Sequence, residues 1–598
     1  MQNKDLKKLL DFIAKISRGI FQSDDQLAIF LKLVALKHAI DIGLIDNLVF
    51  NITSQQLQEE AWHKLIELAK ENKNQDLSEL MKTGFQLEQV PIELADKFLE
   101  KTMHIQTISE RDVAEIVTFM MNSNPSQLGT LTPPFMRLLA KLISPKKGES
   151  IYCASPSTLP LLGILAEHTD QVAFESINRD VIVKFVGFML QDKVNIHSVE
   201  PLSEPSFTAE DYTVLQKFGK SVSLSPMGYR LNESGIDFNS DKFNRFKVNA
   251  RTYEVAMLEH LIAQTNGKSY VTVVSSVLST NLDRGVRQLL IDKGLLEMII
   301  YLPQGAWSNT LVTSALLVLD TNGGHESVRM VDLEKTAYLE KHGRSYKITD
   351  VEQLVEAMED NADHPGMLSI DKQRIIAEDY VLTSQKFLIS ETGQQIDELI
   401  ANQLTKPLKA LVEFERSLPI RSRDEEGDIQ VFEVGVSDLN SDYIYQVDKQ
   451  ISIPSDMLFD GRKNFLRPND IVLSIKGVTG KVALIPETVP AVGEGGWVVS
   501  GMCSILRVQE DSGISPEVLF AYLRSQIGQE LLNRLAAGNT ALRNIPIQEL
   551  KQIPVIIPDA GEQSEIKTKV ALDKQMQETV AKLAEEREQR LQSFWYFK

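Results

Sequence analysis

Residues 258–320 read LEHLIAQTNGKSYVTVVSSVLSTNLDRGVRQLLIDKGLLEMIIYLPQGAWSNTLVTSALLVLD, and the architecture of the chain can be inferred outward from them. The segment begins in a helical pattern, passes into the β-branched run SYVTVVSSV, returns to a helix at RGVRQLLIDKG and closes on LEMIIYLP and SALLVLD. Short apolar strands that alternate with helices are typical of βαβ units with parallel strands. We therefore expect an α/β fold with a doubly wound sheet and right-handed crossovers.

The same alternation extends upstream to about residue 126. SIYCAS, QVAFESI and SVSLSPM have the pattern of strands, and LTPPFMRLLAKLI, NRDVIVKFVGFML and ARTYEVAMLEHLIAQ have that of the helices between them. Residues 126–345 are thus predicted to form one Rossmann-like α/β domain. Residues 1–125 have helical spacing with few glycines, which predicts an N-terminal helical bundle.

The downstream sequence predicts three further parts. Residues 346–424 are charged and mostly helical in pattern, which predicts a helical connector with a linker near 418–428. Residues 425–558 hold short strands between turn residues and one helix, which begins after Ser515 and stops at Gly538, and they predict an α+β domain. Residues 559–598 read as a long polar helix with a narrow apolar stripe, a kind of helix that usually needs a partner helix.

Charge and composition limit the classes of function that the chain can have. The chain of 598 residues carries 63 Lys and Arg against 82 Asp and Glu, a formal net charge of −19. Any nucleic-acid contact must therefore come from a local basic patch. Two cysteines, Cys153 and Cys503, are too few for a disulfide scaffold and favour the cytoplasm, and the scattered histidines predict no metal site. No apolar run approaches the about 20 residues of a membrane helix, so no membrane contact is expected.

Residues 126–320 resemble the modification (methylase) subunit of type I restriction–modification systems, an adenine-specific DNA methyltransferase. The resemblance is carried by the order of elements: Thr132-Pro133 leads a helix toward the first strand, and Leu302-Pro303 and residues 314–319 follow the plan of the closing strands. The helical start resembles the N-terminal helical domain of the same family. The resemblance implies a core that binds S-adenosylmethionine and methylates adenine in DNA.

The cofactor motif of that family departs here from its usual form. After the first strand the family has a glycine-rich turn, roughly D-P-A-C-G-S-G, where backbone approaches the methionyl part of S-adenosylmethionine. Residues 153–159 read CASPSTL instead, with neither glycine nor acid. By the resemblance, Ser155 and Ser157 stand at cofactor positions, and Glu175 at that of the acid that holds the ribose. We expect the binding of S-adenosylmethionine to be lost.

The catalytic motif is altered as well. The family uses N-P-P-F/Y after the fourth strand, so that the Asn side chain accepts from the target amino group and the aromatic ring stacks on the flipped base. Residues 223–229 read SLSPMGY, which leaves Ser225, Pro226 and Tyr229 at the degenerate catalytic positions. Two independent motifs that fail together predict a pseudoenzyme. An active adenine methyltransferase with divergent motifs is the alternative.

Residues 429–598 resemble half of a specificity subunit, with one target-recognition domain and its spacer helix. The strand pair in FLRPNDIVLSIKGVTGKVALI matches the family pattern at Asp470, Leu473, Ser474, Gly477 and Gly480. The DNA-binding candidates are basic and amide side chains, the types that contact phosphates and read base edges: Lys476, Lys481, Arg534, Asn539, Arg543 and Asn544. Residues 425–558 nevertheless carry 11 Lys and Arg against 17 Asp and Glu.

Taken together, these patterns predict a fused modification–specificity-like protein of a type I-like restriction or phage-defence system. Its expected partners are double-stranded DNA, a second copy or a partner subunit through the C-terminal helix, and nuclease or helicase subunits. Three hypotheses stay open: a DNA-recognition component with an inactive core, an active methyltransferase that uses S-adenosylmethionine, and a protein-interaction scaffold that the acidic charge of residues 425–558 favours.

Overall fold

A computed structural model of the chain divides into two compact units, residues 1–384 and residues 385–598. The structure describes residues 3–46, 55–123, 129–177, 180–209, 212–231, 238, 241–248, 250–343, 345–360, 362–388, 391–417, 429–440, 442–455, 458, 461–536 and 543–594. The expected linker at 418–428 therefore lies outside the described residues. No described helix is long and apolar enough to cross a membrane.

The described α-helices follow in chain order: α1 (Lys4–Ile16), α2 (Ser23–Asp41), α3 (Gln55–Lys70), α4 (Gln75–Lys82), α5 (Ile92–Met103), α6 (Glu110–Ser123), α7 (Pro133–Ile143), α8 (Leu159–Ala166), α9 (Val181–Met189), α10 (Tyr253–Gln264), α11 (Arg284–Asp292), α12 (Val351–Glu359), α13 (Lys372–Ala377), α14 (Ser384–Phe387), α15 (Glu391–Ala401), α16 (Pro516–Arg524), α17 (Gln526–Leu535), α18 (Ile547–Leu550) and α19 (Ala560–Ser593).

The described strands are β1 (Ile151–Ala154), β2 (Val172–Glu175), β3 (Val194–His197), β4 (Phe218–Ser223), β5 (Thr265–Val274), β6 (Leu296–Leu302), β7 (Ser314–Asp320), β8 (Ser327–Asp332), β9 (Leu339–His342), β10 (Ser345–Ile348), β11 (Met367–Asp371), β12 (Thr405–Pro407), β13 (Val412–Glu415), β14 (Ile429–Val434), β15 (Gln450–Ile453), β16 (Ile471–Ser474), β17 (Lys476–Gly477), β18 (Val482–Leu484), β19 (Trp497–Val499), β20 (Cys503–Val508), β21 (Arg543–Asn544) and β22 (Pro554–Ile556).

A nine-stranded sheet in the order β11-β8-β6-β7-β5-β4-β1-β2-β3 organises the first unit. Strands β1 to β5 run parallel, with β1 between β2 and β4. Strand β7 is antiparallel to both of its neighbours, β5 and β6. The strand order reverses between β1 and β4, so the crevice beyond their carboxyl ends is where such folds bind ligands. The predicted α/β fold class is confirmed.

The N-terminal helices share one hydrophobic core with the sheet, which includes Trp62, Phe98 and Phe174. The predicted N-terminal helices are present as α1 to α6, but they do not form a separate core. The close approach of α6 and α8 requires a glycine, because a Cβ at Gly163 would lie 2.5 Å from the carbonyl oxygen of Glu110. This packing fixes the helix that follows the turn after β1.

The second unit contains a four-stranded sheet in the order β13-β20-β16-β18 and a three-stranded sheet in the order β15-β14-β19. A two-residue ladder joins β17 to β21, and β12 pairs with β22. The long helix α19 begins at a capping box, in which the Asp559 side chain accepts from the backbone of Glu562 and the Glu562 side chain accepts in return. The predicted α+β character and the long C-terminal helix are both present.

Two expectations differ from the structure. Residues 346–424 are not a purely helical connector, since β11 joins the large sheet, and β12 and β13 pair with β22 and β20. The helix expected between Ser515 and Gly538 is two helices, α16 and α17, because Ser525 is extended and its hydroxyl accepts from the backbone of Gly528 as an N-cap. Gly528 itself tolerates no Cβ, which would lie 2.2 Å from the Tyr522 carbonyl oxygen. The expected stop at Gly538 lies outside the described residues.

Candidate functional site

The turn after β1 retains a backbone conformation suited to glycine although it carries serine. Ser155 has φ 92° and ψ 145°, close to a region that essentially only glycine occupies. Its side chain is 2% exposed, and its Oγ has no hydrogen-bond partner among the described residues. A strained backbone and an unsatisfied buried hydroxyl both lower the stability of the fold. The turn thus has the backbone geometry of a glycine-rich loop but carries a side chain where glycine has none.

The rest of the turn is filled by its own side chains. Ser157 is 2% exposed, and its hydroxyl donates to the carbonyl oxygen of Gly129 at 3.0 Å. The Thr158 hydroxyl donates to the carbonyl oxygen of Ser155 at 2.7 Å. Leu159 is buried in the core of the first unit. The polar groups of Ser157 and Thr158 are thus satisfied inside the protein rather than offered to a ligand.

Glu175, the predicted ribose acid, lies at the end of β2 and is fully buried. One of its oxygens accepts from the Tyr152 hydroxyl at 2.7 Å. The other accepts from both the backbone N–H of Ser206, at 2.5 Å, and the Ser206 hydroxyl, at 2.6 Å. Three donors from the chain itself therefore satisfy this carboxylate.

A buried chain of hydrogen bonds continues from Glu175 through Tyr152. The Tyr152 hydroxyl lies 3.0 Å from His260 Nε2, and Arg245 Nη1 lies 2.9 Å from His260 Nδ1. Because a guanidinium only donates, Nδ1 must accept, and His260 is then the neutral tautomer that carries its proton on Nε2. Burial and then the positive charge of Arg245 lower the pKa of His260 well below its usual value.

The same network fixes the segment between β3 and β4. Arg245 forms an ion pair with Asp241 at 3.0 Å and donates to the carbonyl oxygens of Pro201, at 2.8 Å, and Leu202, at 2.6 Å. Together with the bonds from Ser206 to Glu175, these contacts hold residues 201–206 against the end of β2. Sequence reasoning missed this network; the polar Tyr152 within the apolar strand β1 was the available signal.

The predicted catalytic positions after β4 are only partly accessible. Ser225 is 2% exposed, and its hydroxyl lies 2.6 Å from that of Ser223. Pro226 is half-buried, and Tyr229 is 46% exposed. The Gly228 N–H donates to the buried carboxylate of Glu254 at 3.1 Å, and burial raises the pKa of Glu254. Tyr229 thus presents an aromatic ring to solvent at one of the predicted catalytic positions.

The residues at these strand ends do not fit S-adenosylmethionine in the way that the family resemblance implies. A ribose at Glu175 would have to replace Tyr152 and Ser206, and the turn at Ser155 presents a side chain where glycine leaves room. Cys153 is fully buried, and burial raises the pKa of its thiol, which makes it a poor nucleophile. Among the described residues no group of three or more acidic, His or Cys side chains is placed to hold a metal ion.

The second unit brings several of the predicted DNA-binding residues together. Lys476 pairs with Asn544, and Gly477 with Arg543, in the antiparallel ladder of β17 and β21. The side chains of Lys476 and Asn544 are exposed. Asn539 lies outside the described residues, and of Arg543 only the backbone is described.

Two other predicted DNA-binding residues have partners within the unit. Arg534 Nη1 lies 2.6 Å from Asp397, and its Nε lies 3.1 Å from Glu530. The Lys481 ammonium donates to the Asn440 side chain. Contact with a phosphate would require Arg534 to leave two carboxylates, so its DNA-binding role stays a prediction that these ion pairs weaken.

The residues of the expected specificity-subunit pattern have structural roles in the second unit. Asp470 is buried, and its carboxylate accepts two bonds from Arg507, at 2.9 Å and 2.7 Å. The Ser474 hydroxyl accepts from the Lys481 N–H at 2.9 Å and closes the turn that follows β16. Gly477 and Gly480 have positive φ, 75° and 86°, which that turn requires.

Comparison with known proteins supports the resemblance drawn from the sequence. Residues 184–395 match the family described as N-6 DNA Methylase. The type I restriction enzyme MpnII methylase subunit of Mycoplasma pneumoniae is 22% identical over 151 residues, which are 25% of this chain and 27% of that protein. The chain thus matches about a quarter of the length of this curated relative.

One solved structure supports the fold. The type I restriction–modification methyltransferase subunit from Streptococcus thermophilus superposes with a TM-score of 0.52 at 15% identity, covering 64% of this chain and 98% of that one. The type IIG restriction endonuclease BpuSI gives a TM-score of 0.46 at 12% identity, covering 95% of this chain and 75% of that one. The similarity to type I modification subunits is therefore confirmed, and the S. thermophilus structure shows that the two chains share a fold.

Proposed function

We propose that this chain is the DNA-recognition or scaffold component of a type I-like restriction–modification system, and that its methylase-like core transfers no methyl group. The observation that carries the proposal is the state of Glu175, whose carboxylate is fully buried and satisfied by Tyr152 and Ser206. A fold that binds its cofactor at the carboxyl ends of β1 and β2 needs those positions open. Here the chain fills them itself.

The altered catalytic positions support the same conclusion. An adenine-specific enzyme needs acceptors for the target amino group, and the only polar side chain in the sequence Leu224-Ser225-Pro226 is the buried Ser225 hydroxyl. That hydroxyl already bonds Ser223. Positioning contributes much of the rate in such a transfer, so a displaced or missing acceptor lowers activity severely.

DNA recognition is assigned to the second unit. Lys476 and Asn544 are exposed next to each other on a two-stranded ladder, an arrangement that suits one phosphate contact and one base-edge contact. The net acidic charge of residues 425–558 requires such contacts to be local.

The test of DNA recognition is a fluorescence anisotropy titration of duplex DNA at several salt concentrations. Wild type is expected to bind with an affinity that falls steeply as salt rises. Replacing Lys476 and Lys481 with alanine should weaken binding to all sequences, and the salt dependence should fall by about one unit of slope for each phosphate that the protein no longer neutralises. Arg543→Ala should instead relax sequence preference, because an arginine that reads a guanine edge contributes about 1–3 kcal/mol on the preferred site.

A matched control is Lys449→Ala, since Lys449 is paired with Glu433 and lies just before β15 rather than on the ladder. This variant should keep the affinity and salt dependence of wild type. If wild type binds no duplex even at low salt, DNA recognition is wrong and the protein-scaffold hypothesis replaces it.

One observation favours a second candidate, an active methyltransferase with divergent motifs. Tyr229 is 46% exposed. It follows β4, at the position where the family's aromatic residue stacks on a flipped base. Incorporation of labelled methyl groups into duplex DNA, abolished by Tyr229→Ala, would establish this activity. The same assay without incorporation agrees with the inactive core.

The partner proposed for helix α19 is a second copy of the chain or an equivalent helix of a partner subunit, and nuclease or helicase subunits complete the proposed assembly. Within its own unit, α19 packs Ile566 and Val570 against the core. The remaining large apolar side chains that the structure describes, on α19 and at Phe594 just after it, are 44–70% exposed along one stripe: Leu572, Met576, Val580, Leu583, Leu591 and Phe594. Such a stripe on one long helix is typical of helix pairing.

A further inference from the structure

One end of the four-stranded sheet in the second unit collects four strand ends. The antiparallel pairing places Glu415 of β13 beside Ile505, and Ser474 of β16 beside Cys503, the first residue of β20. Leu473 of β16 lies beside Val482, the first residue of β18. The segments that leave these strands, at residues 416, 475–481 and 500–502, therefore emerge together.

Two apolar side chains project from this end. Val478 is 57% exposed and Met502 is 51% exposed. The loops that carry Val478 and Met502 are in contact. The Met502 Cε lies 3.9 Å from the position that a Cβ on Gly477 would occupy. The backbone N–H groups of Ile475 and Lys476 both donate to the Met502 carbonyl oxygen, at 2.8 Å and 3.1 Å.

The turn that presents Val478 is held rigidly. The Ser474 carbonyl accepts from the Gly480 N–H at 3.0 Å, and the Gly480 carbonyl accepts from the Gln529 side chain at 2.9 Å. The ladder to β21 fixes Lys476 and Gly477 from the other side. Because loop and ladder are both hydrogen-bonded, Val478 and Met502 are kept in solvent by the fold rather than by disorder. We call this pair the apolar tip.

Cations flank the apolar tip. Lys476 and Arg416 are exposed, and neither has an ion-pair partner among the described residues. Three other arginines of the unit are neutralised in ion pairs, whereas Arg462 and Arg467 are exposed: Arg507 pairs with Asp470, Arg524 with Asp442 and Arg534 with Asp397. The apolar tip thus combines exposed hydrophobic surface with uncompensated positive charge.

We propose that the apolar tip, Val478 and Met502, inserts as a wedge between base pairs of duplex DNA while Lys476 and Arg416 contact the flanking phosphates. This inference rests on the proposed DNA-recognition function and names how that unit holds DNA. Methionine is among the side chains that minor-groove proteins insert between base steps, where they partly unstack and kink the duplex. Because the unit carries a net negative charge, its phosphate contacts are local, and an apolar contact adds affinity that does not depend on salt.

Duplex DNA fits this surface better than a protein does. The apolar tip consists of two side chains, far less than the about 800 Å² per partner of a standard protein interface. Unpaired cations on its border match phosphates, whose spacing is regular along each strand of the duplex. A protein partner is the outcome that the experiment below separates from DNA.

The test compares wild type with the double variant Val478→Thr/Met502→Ser on duplex fragments recovered from a random-sequence pool by wild type at low salt. The variant should bind these fragments about tenfold more weakly or worse, because the removed side chains no longer bury apolar surface. Its salt dependence should stay that of wild type, whereas Lys476→Ala should lower the slope by about one unit. Bound wild type should also expose an unstacked thymine to permanganate, and the variant should not.

A matched control is Val492→Thr, which removes a side chain that is 40% exposed away from the apolar tip. This control should leave affinity and permanganate reactivity unchanged, and all variants should keep the thermal unfolding midpoint of wild type. If wild type binds duplex DNA but the double variant binds equally well, the wedge is overturned while DNA recognition stands. If wild type binds no duplex, both are overturned, and loss of a protein partner by the double variant would then assign the tip to a protein.

Discussion

At the scale of single residues, the most informative position is Ser155. Its backbone conformation is one that glycine adopts freely, and its buried hydroxyl has no partner among the described residues. The sequence identified this segment as a departure from a glycine-rich turn, but it could not show that the turn keeps its conformation. The backbone is retained because β1 and α8 are both packed in the core on either side of it.

Ser155→Gly should therefore stabilise the first unit. The substitution removes the strain of a positive φ and an unsatisfied hydroxyl, and we expect a gain of about 1 kcal/mol in the free energy of unfolding. Ser157→Gly is the matched control, because Ser157 has no positive φ and its hydroxyl is bonded to Gly129, so this change should destabilise. Chemical denaturation of the two variants measures both changes in the free energy of unfolding. A destabilised Ser155→Gly variant would show that the backbone of Ser155 is not strained.

His260 gives the first unit a predictable dependence on pH. Its folded-state pKa lies well below the usual value, so below about pH 6.5 the unfolded chain binds a proton at this residue while the folded chain does not. The stability that a neutral His260 contributes is thus present above that pH and is lost as the pH falls. The stability difference between wild type and His260→Phe should narrow from pH 7.5 to pH 5.5.

Thermal unfolding at a series of pH values measures that difference, and the other titrating groups cancel between the two proteins. Leu68→Ala is the control, since Leu68 is exposed and carries no titrating group. Its difference from wild type should stay constant over the same range. A difference for His260→Phe that widens toward acid would show that His260 is charged in the folded protein.

At the scale of elements, local periodicity predicts the long segments and fails for short edge strands. Helices α7, α9, α10 and α11 and the strands between them follow the sequence pattern, because each buries a continuous apolar face. Strands β12 and β13 were missed, since each is only three or four residues long and pairs with a strand far along the chain. A pairing of that kind leaves no periodic pattern in the strand itself.

Helix α19 contacts its own unit and also exposes an apolar stripe. The Tyr443 hydroxyl donates to the Val570 carbonyl at 3.2 Å, and the Tyr445 hydroxyl donates to Glu578 at 3.0 Å. Leu572, Leu583 and Phe594 of the exposed stripe recur every eleven residues. A repeat of eleven corresponds to about 3.67 residues per turn, which keeps a stripe on one face of a nearly straight helix.

Leu583→Glu should therefore convert a dimer or complex into a monomer without unfolding the second unit. A charge at the centre of the stripe would face the proposed partner helix, since Leu583 is 59% exposed and lies beyond the hydrogen bond from Tyr445 to Glu578. Lys582→Glu is the control, because it introduces the same glutamate side chain at a position one residue away from the stripe. Light scattering gives the mass of each variant, and a Leu583→Glu protein of wild-type mass would exclude pairing through this face.

At the scale of the whole molecule, the sequence predicts the similarity to type I modification subunits but not how the candidate site is filled. Ser155, Glu175 and Ser225 could be placed because each follows or ends a predicted strand of the same sheet. The groups that occupy Glu175 could not, since Ser206 lies 31 residues away and His260 lies 108 residues from Tyr152. Their hydrogen bonds depend on tertiary packing, and no local pattern encodes them.

In the second unit, some of the acidic residues form ion pairs with arginines. Asp470, Asp442 and Asp397 neutralise arginines, so several cations counted in the sequence are not available to DNA. Lys476 and Arg416 are exposed at one end of the four-stranded sheet, and Arg462, Lys463 and Arg467 are exposed as well. The proposed DNA contact is placed at that end of the sheet because exposed cations and exposed apolar side chains occur together there.

Isothermal titration of the full chain with S-adenosylmethionine is the decisive test of the inactive core. Because Tyr152 and Ser206 satisfy Glu175 and a side chain replaces glycine at Ser155, we expect no saturable heat of binding at micromolar ligand. Ser155→Gly should not restore binding, since Glu175 stays occupied. Saturable micromolar binding to wild type that is abolished by Glu175→Ala would contradict the inactive core and establish a functional cofactor site.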